Sequence, residues 1–237
     1  MQRYLVFISL FSITLPCAFA QTTSFDLKVG LREERTLESG MNGNIQNSSQ
    51  ARPMIGLEII KNTKNNLSFP LGLFLQNYAS RTLIEGFDMG ATLNSHWFLG
   101  LSGGVERFFL KEKKIHVSVS LNQQILVVPN AKDKTFIGYY PEGVSPENAI
   151  KSESMRAIRA VNPISQIGAK IWFPIQKNTG IYVGYAYNIG WGPLFEREVN
   201  YTIKPTSGAI LSGRGIFSTQ GSGLQANVGI RLNMPTI

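Results

Sequence analysis

Cysteine is almost missing from this chain: among 237 residues there is one, Cys17. A single thiol excludes an internal disulfide framework. Charge is scarce too. Asp, Glu, Lys and Arg make up 16% of the residues, where an ordinary soluble domain carries about 25%. The formal net charge is +8, yet no run of Lys and Arg is long enough to form a nucleic-acid arm, so no nucleic-acid partner is expected. No stretch reaches the roughly 18 apolar residues of a transmembrane helix. His96 and His116 are too far apart for a metal-ligand motif. No glycine-rich loop follows a strand and opens a helix, as a phosphate site would require. No metal or other cofactor is therefore expected.

What remains is ample apolar material, 43% of the residues, together with 23 Gly. This excludes a disordered chain and suits one domain or two small ones. Residues 1–20 read as a secretory signal peptide. Arg3 gives the positive start and Tyr4 to Leu15 the apolar run. Ala18-Phe19-Ala20 gives the small-x-small cleavage pattern. Residues 21–237 then form the mature domain, without Cys. Stability after export must come from a closed structure and not from disulfides.

Residues 21–237 alternate with period 2 in eight segments, each of strand length. Their apolar faces run through Phe25–Leu31, Ile55–Ile59, Leu67–Leu75, Leu99–Val105, Ile115–Leu121, Ile167–Ile175, Ile181–Trp191 and Leu224–Leu232. The opposite faces hold Gly mixed with Asp26, Lys28, Arg32, Glu58, Glu106, Lys170 and Arg231. Gly is a poor residue for a solvated strand face, because it costs backbone entropy and packs nothing. In a narrow barrel it leaves room for long neighbours. The connections alternate as well. Residues 62–66, 111–114 and 176–180 are short, whereas 34–53, 76–96, 126–163 and 192–222 are long. Trp97, Trp191, Tyr187 and Phe25 lie near the ends of their stripes, as an interfacial aromatic girdle would have them, and Trp172 has inward parity. Together these predict an all-β fold: an eight-stranded antiparallel up-and-down transmembrane barrel, apolar face outward. Ten strands result if residues 80–96 or 195–220 add a hairpin to the wall.

With its leader, its alternating segments and the closing stretch Gly223-Leu224-Gln225-Ala226-Asn227-Val228-Gly229-Ile230-Arg231-Leu232, the chain resembles small outer-membrane β-barrels of the OmpA/OmpX-like and PorT-like families. The resemblance implies a bacterial outer-membrane location and a structural, adhesion or envelope-assembly role without enzymatic activity. It also implies outer-membrane lipid and the outer-membrane assembly machinery as partners. Such barrels usually end on an aromatic residue, whereas this chain ends Asn233-Met234-Pro235-Thr236-Ile237.

The inward charges Asp26, Lys28, Arg32, Glu58, Glu106, Lys170 and Arg231 are expected to pair as a structural network filling the lumen; a proton or ion path is the sharper alternative. The long loops are the expected interaction surface for an envelope or extracellular protein, with Tyr139, Tyr140, Arg156, Arg159, Arg197 and Tyr201 as candidates. Lys61, Lys64, Lys111, Lys113, Lys114 and Lys177 crowd the short turns. They suit either anionic headgroups or peptidoglycan, or plain solvation. His116-Val117-Ser118 is similar to the His-x-Ser of outer-membrane lipid A deacylases, but it adjoins the 111–114 turn, far from such a substrate. A soluble barrel for an apolar ligand is the other alternative. Gly103-Gly104 is expected to mark a bend or bulge.

Overall fold

The computed structural model describes residues 22–42, 45–49, 51–84, 94–111, 114–128, 134–137, 149–176, 178–204 and 210–233. The leader, Tyr139 and Tyr140 lie outside them. The described chain is all strand and turn. Its strands are β1 (Thr22–Asn42), β2 (Ile45–Ser49), β3 (Arg52–Asn62), β4 (Leu67–Ile84), β5 (Asn94–Lys111) and β6 (His116–Val127). They continue with β7 (Lys134–Ile137), β8 (Ala149–Ala157), β9 (Val161–Gln176), β10 (Thr179–Gly190), β11 (Phe195–Ile203) and β12 (Leu211–Asn233).

Eight of these make a closed antiparallel wall in the order β1-β3-β4-β5-β6-β9-β10-β12, with β12 returning to β1. The ring satisfies edge hydrogen bonds that an open sheet would leave exposed. Following registered partners from Arg32 through Gln225, Ala186, Gly168, Ser120, Glu106, Ser68 and Asn62 returns to β1 at Thr22, ten residues from the start. That stagger over eight strands tilts them by about 40° and gives a cylinder roughly 16 Å across between backbones. Such an interior takes side chains and little else.

The remaining strands build outward from one end. The outer half of β12, Leu211–Thr219, leaves β10 and pairs with β11. β11 pairs in turn with β8, and β8 with β7. β2 pairs with the outer end of β4. Residues 195–203 therefore extend the sheet beyond the wall, and the wall keeps eight strands. The switch of partner on β12 falls at Gly221, whose φ of 78° lies in the left-handed region where a side chain would be strained. The end with connections at 62–66, 112–115 and 177–178 is the turn end; the other is the loop end.

Strand parity sorts the residues. Leu27, Leu57, Leu73, Leu101, Leu121 and Val183 are all about half exposed on the outside, with further Ile, Val and Tyr around the whole wall. Inward neighbours are buried. Gly103 and Gly104 do not make a bulge, because register against β6 runs through both without a shift. A Cβ at Gly104 would meet Asn122 and the Leu121 carbonyl, so close approach explains this glycine. The irregularity on β5 lies instead between Phe108 and Leu110. Pro70 on β4, which has no N–H to donate, interrupts the ladder to β5.

Candidate functional site

The lumen is filled in three layers. At the turn end, register brings charges of both signs together. Asp26 lies directly opposite Glu58 on one side and Arg231 on the other. Two facing carboxylates repel, and the cations around them offset this. Lys28 donates to Glu58, and Arg231 lies 3.3 Å from Asp26 and 2.8 Å from Glu106. Lys170 is 3.6 Å from Glu106. Ser118 donates to Glu106 at 2.5 Å, and Ser102 donates to Glu58 at 3.3 Å. Asp26, Glu58 and Glu106 thus balance Lys28, Lys170 and Arg231 in a space with almost no solvent contact. Buried charge is tolerated only with this kind of pairing.

Aromatic rings cover the cations. The Arg231 guanidinium lies 4.0 Å from the Trp172 ring centre, and the Lys170 ammonium 5.0 Å from that of Tyr182. Trp172 and Tyr182 pack at 4.2 Å. The Tyr182 ring fills the space a Cβ at Gly229 would need, so Gly229 makes room for the ring. Trp172 Nε1 donates to Ser118 Oγ at 3.0 Å. Ser118 is thereby committed to Glu106 and Trp172, and His116 lies edge-on to Phe108.

Above the charges sits a layer of amides. Asn122 Nδ2 donates to Gln166 Oε1 at 3.0 Å, and Gln166 Nε2 donates to both Asn188 Oδ1 and Gln225 Oε1 at 3.0 Å. These residues come from β6, β9, β10 and β12, so the layer ties one side of the wall together. Arg32 lies at the loop end of this layer, away from the other expected network members. Its Nε is 3.1 Å from Glu34, and it donates to the Gly221 carbonyl and to Gln124. Thr219 also donates to Glu34, at 2.8 Å.

At the loop end the interior turns apolar. Met54, Phe74, Phe98, Leu126, Ile164 and Leu194 are buried together with Tyr78. Tyr78 stacks on Phe98 at 4.5 Å, and Phe195 meets both edge-on. Sequence reasoning missed this plug and the amide layer. Met54, Phe74, Tyr78, Phe98, Leu126 and Ile164 have inward parity on the neighbouring strands β3, β4, β5, β6 and β9, and that is the signal by which the plug could be found.

Among the loop candidates, Arg156 and Arg159 are exposed. Arg197 and Tyr201 are not: both are buried, and the Arg197 guanidinium lies 5.4 Å from the centre of the Phe217 ring. Alternation along β11 turns residues 197, 199, 201 and 203 to its covered face. Beyond the wall, Arg214 lies 2.9 Å from Glu198. Hydrogen bonds from Asn200 and Arg214 hold the Glu198 carboxyl below its ordinary range.

No protein-family model and no curated protein matches the chain. Among solved structures, it is similar to the outer membrane protein OprG from Pseudomonas aeruginosa, at 6% identity over 91% of this chain and 97% of that one, with a TM-score of 0.49. It is also similar to Neisserial surface protein A, at 10% identity over 90% and 97% with a TM-score of 0.41. A third is the outer membrane protease OmpT from Escherichia coli, at 8% identity over 91% and 97% with a TM-score of 0.40.

Proposed function

We propose that the protein is an integral outer-membrane β-barrel, non-enzymatic, with a structural, adhesion or envelope-assembly role. The observation that carries this reading is the exterior of the closed wall, where exposed Leu, Ile, Val and Tyr form a continuous band, while Asp26, Lys28, Glu58, Glu106, Lys170 and Arg231 are held inside. A soluble protein rarely exposes an apolar patch of more than a few hundred Å². A barrel wall satisfies its backbone bonds internally and so suits lipid. The same observation counts against a soluble barrel with an apolar ligand, whose apolar face would point inward along its whole length.

The filled lumen supports a plug in preference to a conducting path. Charges, amides and apolar side chains occupy it in succession, each packed or bonded to a neighbour. Such packing makes a rigid platform, and the sheet of β7, β8, β11 and outer β12 is the surface it presents. Arg156 and Arg159 are exposed there for an envelope or extracellular partner. Envelope fractionation with heat-modifiable gel mobility tests the reading. The expected result is an outer-membrane fraction that migrates faster unheated than boiled, and single barrels in planar bilayers that hold no steady conductance. A soluble periplasmic protein without a mobility shift would overturn it.

A further inference from the structure

Not every outward side chain toward the turn end is apolar: Lys61 on β3 and Arg107 on β5 both have outward parity. Arg107 is exposed. It stands opposite the first residue of β4 and the fourth of β6, near the turn end. Its registered neighbours are Leu67 on β4 and Val119 on β6, and Phe109 lies one pleat closer to the turn end. Phe109 is among the most exposed apolar residues of the molecule, at 66%. The Arg107 guanidinium lies 5.6 Å from the Phe109 ring centre, so the side chain leans toward the turn end. An arginine whose base lies within an apolar band reaches its charge toward the interface in this way.

Among the described residues, Asp26, Glu58 and Glu106, the acids at this height of the wall, all point inward and are bound to lumen cations. The surroundings add positive charge. The Phe108 N–H donates to the Asn66 carbonyl at 2.9 Å, which ties the 62–66 turn to β5 beside Arg107. That turn carries exposed Lys64, and the turn that follows β5 carries exposed Lys114.

We infer that Arg107, with Lys64 and Lys114, forms a docking site for the phosphate of an anionic glycerophospholipid in the leaflet at the turn end. This rests on the membrane-barrel reading. The guanidinium takes the phosphate oxygens by charge-assisted hydrogen bonds, Phe109 lies alongside the acyl chain beneath it, and the lysines add attraction at the headgroup level. Geometry favours lipid over a soluble anion, because Arg107 is flanked by lipid-facing Leu67 and Val119.

Spin-labelled phosphatidylglycerol and phosphatidylcholine, presented to the refolded full-length barrel in phosphatidylcholine vesicles, report association with the wall. Wild type is expected to favour phosphatidylglycerol by about fivefold, the worth of one basic residue at such a surface. R107Q is expected to lose most of that preference and R107K to keep most of it, while K64Q and K114Q each lose a smaller part. Inorganic phosphate, against chloride of matched ionic strength, is expected to leave the preference intact; displacement by phosphate would assign the site to a free anion and overturn the lipid. Equal association of both lipids with inserted wild type, or full preference in inserted R107Q, would overturn the site alone. Failure of wild type to insert in vesicles of either lipid would overturn the membrane reading and the site with it.

Discussion

The two ends of the lumen solve one packing problem with opposite chemistry. At the turn end, Glu106 holds Arg231, Lys170 and Ser118 in a balanced cluster of ions and rings. At the loop end, Phe98, Tyr78 and Phe195 fill the same kind of space with stacked and edge-on aromatics. The difference lies in what each end can tolerate losing. A dispersion-packed plug shrinks or shifts when a ring is removed. An ion cluster cannot, because each charge removed leaves its partners buried and unpaired.

The sharpest way to break the comparison is therefore at Glu106. Glu106→Ala is expected to cost about 4 kcal/mol, since it strands two buried cations; urea unfolding of the barrel in vesicles measures it. Phe98→Ala at the other end is expected to cost about 3 kcal/mol by cavity formation, measured the same way. If Phe98→Ala proves the more damaging, the contrast between the ends has the wrong sign. Between the two, Gln166→Leu removes the amide shared by Asn122, Asn188 and Gln225. It is expected to lower stability by about 2 kcal/mol, because three partners lose a bond.

The smallest effect is expected beyond the wall, at Glu198. Its carboxyl is lowered by Asn200 and Arg214, so its contribution is complete above the ordinary carboxylate range. That contribution is lost as pH falls through the lowered value. The pair with Arg214 is substantially exposed, which limits the effect of Glu198→Gln to a few tenths of a kcal/mol at neutral pH. Unfolding midpoints of the two proteins should differ slightly at neutral pH and converge in acid. A difference that grew in acid would reverse the assignment.

Much of the wall was legible in the sequence because period-2 alternation is local. Leu27, Val29 and Leu31 declare one face of β1, and Asp26, Lys28 and Arg32 the other, without reference to any other strand. The heights at which inward residues meet were not legible. They depend on the ten-residue stagger around the ring, a property of all eight pairings at once. That is why Arg32, which looks like a member of the charge cluster, pairs with Glu34 above the amides. The alternation through Phe195, Arg197, Val199, Tyr201 and Ile203 makes β11 legible as a strand. Which of its faces becomes covered was not legible, and Arg197 and Tyr201 are buried as a result. Arg107 was unremarked because one charge at the end of an apolar stripe reads as the end of the strand.

The division between a lipid-facing outside and a filled inside can be measured strand by strand. With Cys17 replaced by Ser, single cysteines placed in turn at residues 97, 99, 101 and 103 of β5 carry a nitroxide on the outward face, and Arg156→Cys carries one beyond the wall. In vesicles, labels at 99, 101 and 103 should collide freely with dissolved oxygen and hardly at all with a water-soluble nickel chelate, with the reverse at 156. Nickel access at 99, 101 and 103 equal to that at 156 would mean that the apolar face meets water, and the membrane barrel would be contradicted.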